Sequence, residues 1–242
     1  MTERPIPFRD WEVRAILEGR KTQTRRVMKP QPKPTPADYP GPAGHWWPSQ
    51  KHKSMLGVER EMQKWKGLAG SACPYGDTSD TLWVRETFCA HWGAPPHDAP
   101  QSYRIVTGDE LPLIKQENGD LYQPVPSDIM AIWYGAQGDK PFHMAWRPSI
   151  HMPRWASRIT LRITDVRVER LQDISEDDAV AEGVALERYV PVSDSAGTHS
   201  SGEAEPTDPV EEYRNLWNHI NAPGAWGANP WVWVIEFEKV KP

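Results

Sequence analysis

The sequence contains few cysteines and no metal-binding spacing of cysteine or histidine, and each absence narrows the class of protein. Only two of its 242 residues are cysteine, Cys73 and Cys89. They leave room for a single disulfide but exclude a fold held together by several. No CxxC or HExxH pattern occurs, and the eight histidines are scattered along the chain. We therefore expect neither a metal nor another cofactor.

Long apolar runs and an excess of positive charge are also missing. No stretch approaches the roughly 18 apolar residues of a membrane-spanning helix, and residues 1–5, MTERP, lack the apolar core of a signal peptide. These absences predict a cytoplasmic protein without a membrane partner. The formal net charge is −5, whereas proteins that coat nucleic acid are usually basic. A general nucleic-acid-binding surface is therefore disfavoured, although residues 20–29 carry five basic side chains and no acidic one.

The sequence does contain short helices and strands, separated by irregular segments. Helical spacing of apolar residues predicts a helix within residues 6–18, and Gly19 is placed to end it. Ser175 is a typical N-cap for a second helix that ends at Gly183, and Asp208 for a third. Alternation of apolar and polar residues predicts strands at 81–88, 158–170 and 231–237. This order lacks the regular alternation of a parallel α/β sheet, so we predict an α+β fold, a small mixed β-barrel with short helices over its ends.

The strand at 158–170 changes the phase of its alternation. Leu161 and Ile163 share one face, and the apolar face then moves to Val166 and Val168. A shift of one residue predicts a bulge or bend in the strand, as a curved barrel requires.

Three segments together resemble a known family. Residues 16–26 read ILEGRKTQTRR, residues 171–183 read LQDISEDDAVAEG, and residues 231–237 read WVWVIEF. Their content and order resemble an ASCH domain, a relative of the PUA fold. The chain is also similar to prophage-type ASCH proteins, which share long inserts rich in proline and tryptophan.

The resemblance implies one ASCH-like, PUA-like domain that covers residues 1–242. The 25 prolines and 13 tryptophans of the chain fit its long inserts. The implied core comprises residues 6–29, 80–90 and 155–242, and the implied insertions are residues 30–79 and 90–154. A short helix near 57–66 and a polar loop at 186–207 are further expectations.

The resemblance also implies an activity. Small bacterial ASCH amidohydrolases remove the acyl group from N4-acetylcytidine with a Lys and a Thr three positions apart after the first helix, and a Glu on the later short helix. The matching residues are Lys21, Thr24 and Glu182. The implied function is amide hydrolysis of N4-acylated cytosine nucleosides. Thr24 would be the nucleophile, Lys21 its base and Glu182 the donor of a proton to the leaving amine.

Five more residues are candidates to bind the substrate, namely Arg20, Arg25, Arg26, Glu86 and Arg154. Arg26 is a candidate to hold the acyl oxygen or a phosphate. Glu86 lies on a core strand, where an unpaired carboxylate is costly, and is a candidate to orient Lys21. Arg25 stands where the small enzymes have an apolar residue. Because positions 21 and 24 of an ideal strand face opposite sides, we expect Lys21 to lie in the turn that Gly19 begins.

Two other functions stay open at this point. The basic segment and the many tryptophans are also typical of a non-catalytic PUA-like module that binds RNA or a modified base, since aromatic rings stack on bases. A ribonuclease that uses the same cleft is a weaker alternative. The acidic net charge favours the hydrolase, because a small nucleoside requires a pocket and not a basic surface. The sequence leaves the oligomeric state open.

Overall fold

The structure is a computed structural model of the chain. It describes residues 1–29, 31–34, 46–47, 73–93, 103–107, 110–111, 114–115, 121–122, 129–138, 144–185, 187–190 and 203–240. The α-helices in these residues are α1 (Asp10–Leu17), α2 (Glu176–Ala181) and α3 (Pro209–Asn221). The strands in these residues are β1 (Glu3–Pro7), β2 (Gln23–Val27), β3 (Lys33–Pro34), β4 (Trp46–Trp47), β5 (Thr81–Arg85), β6 (Phe88–Trp92), β7 (Tyr103–Thr107), β8 (Ile114–Lys115), β9 (Leu121–Tyr122), β10 (Ile129–Tyr134), β11 (Thr160–Arg170), β12 (Glu187–Val190), β13 (Glu203–Pro206) and β14 (Trp231–Lys239).

The chain divides into two compact units. The first comprises Met1–Glu18, Asp80–Arg162 and Lys239–Pro242, and the second comprises Gly19–Ser79 and Ile163–Glu238. Strand β11 begins in the first unit and ends in the second. The single domain that the sequence predicted over residues 1–242 stays a prediction.

In the first unit, β1 runs parallel to β5, and the start of β11 runs antiparallel to β5. Strand β10 lies between β6 and β7 and is antiparallel to both. Its side chains alternate between two apolar clusters, with Ile132 and Tyr134 in one and Ala131 and Trp133 in the other. The strand is therefore buried on both faces, which explains its nearly continuous apolar sequence IMAIWY.

In the second unit, β14 lies between β2 and β11 and runs antiparallel to β2. Helices α2 and α3 contribute to one apolar cluster with this strand. The cluster contains Leu171, Ile174, Ala179, Val184, Tyr213, Trp217, Val232 and Val234. The N-caps that the sequence predicted are both present, since Ser175 Oγ accepts from Asp178 N at 3.1 Å and Asp208 Oδ1 accepts from Val210 N at 2.9 Å. Both helices therefore begin where the capping residues predict.

The structure is α+β, as predicted, but the predicted closure into a β-barrel is wrong. A barrel requires its first and last strands to pair with each other. In the described residues the larger sheet has five strands and the second has three, and both sheets are open. Among the described strands, β1 pairs with β5 alone and β2 with β14 alone.

The phase shift along β11 is confirmed. Leu161, Ile163, Val166 and Val168 are buried, and the two residues between Ile163 and Val166 are more exposed. Two residues in succession thus point away from the core, which lets one strand present apolar side chains first to one face and then to the other.

Several predictions fall on residues that the structure does not describe. The helix near 57–66 lies outside the described residues, as do most of the implied insertion 30–79, parts of 90–154 and most of the loop 186–207.

Both cysteines are buried free thiols. Within the described ranges, no helix is long and apolar enough to cross a membrane.

Candidate active site

The turn before β2 places Lys21. Gly19 has φ +78, a left-handed conformation that glycine adopts without the steric cost of a Cβ atom. Strand β2 begins only at Gln23. Lys21 therefore lies before the strand, as predicted, and its side-chain direction does not follow the alternation of β2.

The end of helix α2 meets this turn. Gly183, at φ +83, ends the helical region, and Glu182 occupies the C-cap position. Thr22 N donates to Ala181 O at 2.9 Å, and Arg20 Nη1 donates to Gly183 O at 3.2 Å. Two short segments, more than 150 positions apart in sequence, are thus held side by side, with Lys21 opposite Glu182.

Lys21 and Glu182 form a buried ion pair. Lys21 Nζ lies 2.8 Å from Glu182 Oε2, and it also donates to Glu182 O at 2.9 Å. Each residue is only 3% exposed. Two charges removed from water to this extent are stable only when they pair closely and gain further hydrogen bonds, and this pair does both.

Arg25 adds a second cation beside Glu182. Its Nη2 lies 2.9 Å from Glu169 Oε2 and 3.1 Å from Asp178 Oδ2. Its Nη1 lies 3.6 Å from Glu182 Oε1, too far for a hydrogen bond. Neither Arg25 Nη1 nor Glu182 Oε1 has a hydrogen-bond partner among the described residues, although both atoms are buried. Glu182 thus keeps one oxygen bonded to Lys21 and one without a donor.

Arg167 connects the same acidic groups from strand β11. It bonds Glu169 at 2.5 Å, Asp178 at 2.7 Å and Gln23 Oε1 at 3.0 Å, and it also pairs with Glu236. We call the whole set the ion network. Its members are Lys21, Gln23, Arg25, Arg167, Glu169, Asp178, Glu182 and Glu236.

The charges of the ion network shift two ionisation equilibria. Burial on its own raises the pKa of Asp178, but Arg25 and Arg167 outweigh it and hold that pKa below its usual range. Burial lowers the pKa of Arg167, but Glu169, Asp178 and Glu236 more than reverse this. Both side chains therefore stay charged at neutral pH, and the network holds α2 against the sheet by electrostatic contacts.

Thr24 is buried but lies outside the ion network. Gln23 and Arg25 both reach the network, so they share one face of β2, and Thr24 between them faces the other side. Its cross-strand partner is Ile235, and those of its neighbours are Glu236 and Val234. The structure thus brings together Lys21, Arg25 and Glu182, and no described hydrogen bond connects Thr24 to them.

The remaining predicted residues have other surroundings. Arg20 is exposed, and Arg26 is half-buried opposite Trp233. Glu86 lies in the first unit, where both of its carboxylate oxygens accept from Arg158, at 2.9 and 3.0 Å. Burial raises the pKa of Glu86 despite the opposing charge of Arg158.

Arg154 also lies in the first unit and pairs with Glu3 at 2.8 Å. The carboxylate that contacts Lys21 is therefore that of Glu182, and the role predicted for Glu86 in orienting Lys21 has no support in these contacts.

Sequence reasoning missed the acidic partners of Arg25. Asp178 and Glu182 stand four residues apart, the spacing of neighbours on one helix face. Arg167 and Glu169 are charged residues two apart on a long strand, the spacing of one sheet face. Each pattern was visible, but only the packing of α2 against the sheet shows that both belong to one site.

Comparisons with protein-family models, with curated proteins and with solved structures find no match to this chain.

The arrangement joins a proton donor directly to an acceptor. The hydrogen bond between Lys21 Nζ and Glu182 Oε2 connects a base and an acid directly, and a proton that moves along it yields a neutral amine and a neutral carboxylic acid. The second oxygen of Glu182 is an available acceptor. Within the described residues, no three His, Cys, Asp or Glu side chains are grouped to hold a metal ion.

Proposed function

We propose that the second unit hydrolyses the amide bond of N4-acylated cytosine nucleosides, in the manner of the ASCH amidohydrolases that its sequence resembles. The observation that supports this proposal is the buried contact between Lys21 and Glu182. The resemblance assigned both residues to one site although they lie 161 positions apart. A base and an acid within hydrogen-bond distance of each other are the groups that acid–base catalysis requires.

The chemistry balances with three groups. Transfer of one proton from Lys21 to Glu182 leaves a neutral amine that accepts the Thr24 hydroxyl proton as the threonine oxygen attacks the acyl carbon. The carbon–nitrogen bond then breaks, and the N4 nitrogen takes its proton from Glu182, which releases cytidine. Departure of cytidine restores the ion pair, and water then cleaves the ester, which regenerates the Thr24 hydroxyl and releases the acyl group as a carboxylic acid. Thr24 faces away from the ion network in the structure, so this mechanism requires the segment from Lys21 to Thr24 to rearrange when substrate binds.

Arg25 provides a fixed positive charge beside Glu182 in this mechanism. Its guanidinium is anchored by Glu169 and Asp178, so it stays in place while Glu182 changes charge. A cation 3.6 Å from Glu182 Oε1 also stabilises the carboxylate that forms when the proton leaves. Arg20 and Arg26, on either side of Lys21, are the proposed contacts of the substrate's acyl oxygen or a phosphate.

The same contacts favour the hydrolase over an RNA-binding module or a ribonuclease. RNA binding through the basic segment requires its cations to face solvent. Lys21 and Arg25 are 3% and 4% exposed, and both pair with carboxylates. Two of the five basic side chains on which the RNA-binding alternative was based are thus directed into the protein.

The test is the release of cytidine from N4-acetylcytidine, followed by liquid chromatography. We expect turnover by the wild-type chain and none by Lys21→Met or Glu182→Gln. Thr24→Ser should keep activity because it retains the hydroxyl, and Thr24→Val should lose it. Matched controls are Lys29→Met and Thr22→Val, which change exposed residues of the same segment and should retain activity. Absence of turnover on acetyl, propionyl and benzoyl substrates would refute the proposal, and full activity of Thr24→Val would refute the role of Thr24.

A further inference from the structure

A wide-open cavity of about 550 Å³ lies in the first unit, and none of its lining residues belongs to the ion network. Its volume falls within the range of roughly 300–1,000 Å³ that is usual for small-molecule sites. The residues that line it are Arg104, Glu110, Leu111, Arg154, Trp155 and Ser157. They combine two guanidinium groups, each paired with a glutamate carboxylate, with a large aromatic ring.

Trp155 supplies a flat apolar wall. The side chain is half-buried, lines the cavity, and packs against the apolar cluster around Phe88. Leu111, from the same cluster, lines the cavity too and is almost fully buried. A ring held by the core on which a ligand can stack favours a ligand that is itself flat and aromatic.

Arg154 supplies an oriented donor for an anion. Its Nε and Nη2 donate to the two oxygens of Glu3 at 2.9 and 2.8 Å, and Nη2 also lies 3.3 Å from Thr160 Oγ1. These contacts fix the plane of the guanidinium. No described residue accepts a hydrogen bond from Nη1, which leaves two N–H groups for a ligand oxygen.

Arg104 is a second fixed cation on the same cavity. Its Nη1 donates to Trp155 O at 3.4 Å and Ser157 O at 3.1 Å, and its Nη2 lies 3.1 Å from Glu110 Oε1. Two main-chain carbonyls and a carboxylate therefore hold it before any ligand arrives. Preorganised donors of this kind bind without the entropic cost of ordering a long side chain.

We propose that this cavity binds a small organic anion that carries a flat aromatic ring, a chemistry shared by nucleoside monophosphates and aromatic carboxylates. The ring stacks on Trp155, and the anionic group accepts from Arg154 and Arg104. The pair of Arg154 with Glu3 does not prevent this, because both side chains are about two-fifths exposed and exposed pairs contribute little. An anionic ligand therefore competes with Glu3 for Arg154, whereas a neutral one does not.

Titration calorimetry of the full chain tests the proposal, with adenosine 5′-monophosphate, adenosine, benzoate and inorganic phosphate as probes. Adenine nucleotides lack the cytosine of the proposed hydrolase substrate, so binding here does not depend on that activity. We expect the monophosphate to bind and inorganic phosphate to bind at least about tenfold more weakly, because phosphate lacks the ring. If benzoate binds as tightly as the monophosphate, the natural ligand is an aromatic carboxylate; if it binds more weakly, a nucleotide is favoured.

Four variants have different expected effects on the affinity for the monophosphate. Arg154→Gln and Trp155→Leu should each weaken the monophosphate by roughly tenfold, and Trp155→Phe should retain most of the affinity. Glu3→Gln should strengthen it severalfold and leave adenosine unchanged. The matched control is Arg214→Gln, since Arg214 is equally exposed and also pairs with a glutamate. Equal binding by the monophosphate and inorganic phosphate, no binding at millimolar concentration, or no effect of Glu3→Gln would overturn the proposal.

Discussion

Replacing Lys21 and Glu182 singly and together measures how strongly the site depends on their pairing. Their side chains are 1% and 4% exposed and lie 2.8 Å apart. Removal of one partner strands a buried charge, a change that typically costs about 3–5 kcal/mol of unfolding free energy. We expect Lys21→Met to fall at the lower end of this range, because Glu182 still has Arg25 at 3.6 Å.

In Glu182→Met the Lys21 ammonium keeps its hydrogen bond to the main-chain oxygen of residue 182, at 2.9 Å. That oxygen offers a hydrogen bond but no full negative charge, so Glu182→Met should cost more than Lys21→Met. The double variant buries neither charge and replaces the pair by apolar groups of similar length, a change that is often close to neutral. The cost of the double variant should therefore fall well below the sum of the single costs, with a coupling energy of about 3 kcal/mol or more.

Urea unfolding followed by circular dichroism gives the three free energies, and hydrogen exchange supplies a local measurement. The Thr22 amide donates to Ala181 O beside the pair, so its protection should fall in each single variant and recover in the double variant. Glu176→Met, an exposed acid at the start of α2, is the matched control and should change stability by less than about 0.5 kcal/mol. A coupling energy below about 1 kcal/mol would refute the reasoning, since it is the value of a solvated pair.

Three further predictions concern single groups. Burial raises the pKa of Asp178, but Arg25 and Arg167 outweigh it and lower the pKa below its usual value. The contribution of Asp178 to stability is therefore present above the usual aspartate pKa and disappears as the pH falls through the pKa of the folded state. Asp178→Asn should flatten the acid limb of a stability–pH profile measured by urea unfolding. Tyr134, whose pKa burial raises to about 12, should ionise after the ordinary tyrosines in an ultraviolet absorbance titration, and Tyr134→Phe should remove that last step. Gly19→Ala should lower the unfolding free energy by about 1–2 kcal/mol, measured by thermal unfolding, because alanine disfavours a positive φ. No atom lies within 4 Å of the added Cβ, so a steric clash adds nothing to this cost. An unchanged unfolding midpoint would contradict the left-handed turn.

The sequence was sufficient to predict the local elements that place the site. Gly19, Ser175 and Gly183 act through the backbone of a few neighbouring residues, so their effects can be inferred from residue type alone. The alternation along β11 likewise predicted its change of face, because the side-chain period of a strand is fixed by geometry. Local chemistry and periodicity therefore carried most of the secondary structure near the site.

Closure of the sheet could not be predicted in this way. Whether β1 and β2 pair with each other depends on the tilt and stagger of all the strands between them, and neither quantity is encoded in one strand's pattern. The expectation of a barrel came from the order of the helices and strands, from the family resemblance and from the phase shift in β11. A bend of one strand is compatible with an open sheet as well as with a closed one.

Arg25 shows why the acidic residues of the site could not be predicted from the sequence one position at a time. A guanidinium cannot be deprotonated in a protein, so a fully buried arginine must be surrounded by acceptors wherever the fold places it. Glu169 and Asp178 supply acceptors for Nη2 from a strand and a helix, at 2.9 and 3.1 Å. Either acid alone resembles an ordinary solvent-exposed residue of its element. Arg25 and its two acidic partners are thus one structural feature, and its effect is to place a permanent positive charge beside Glu182.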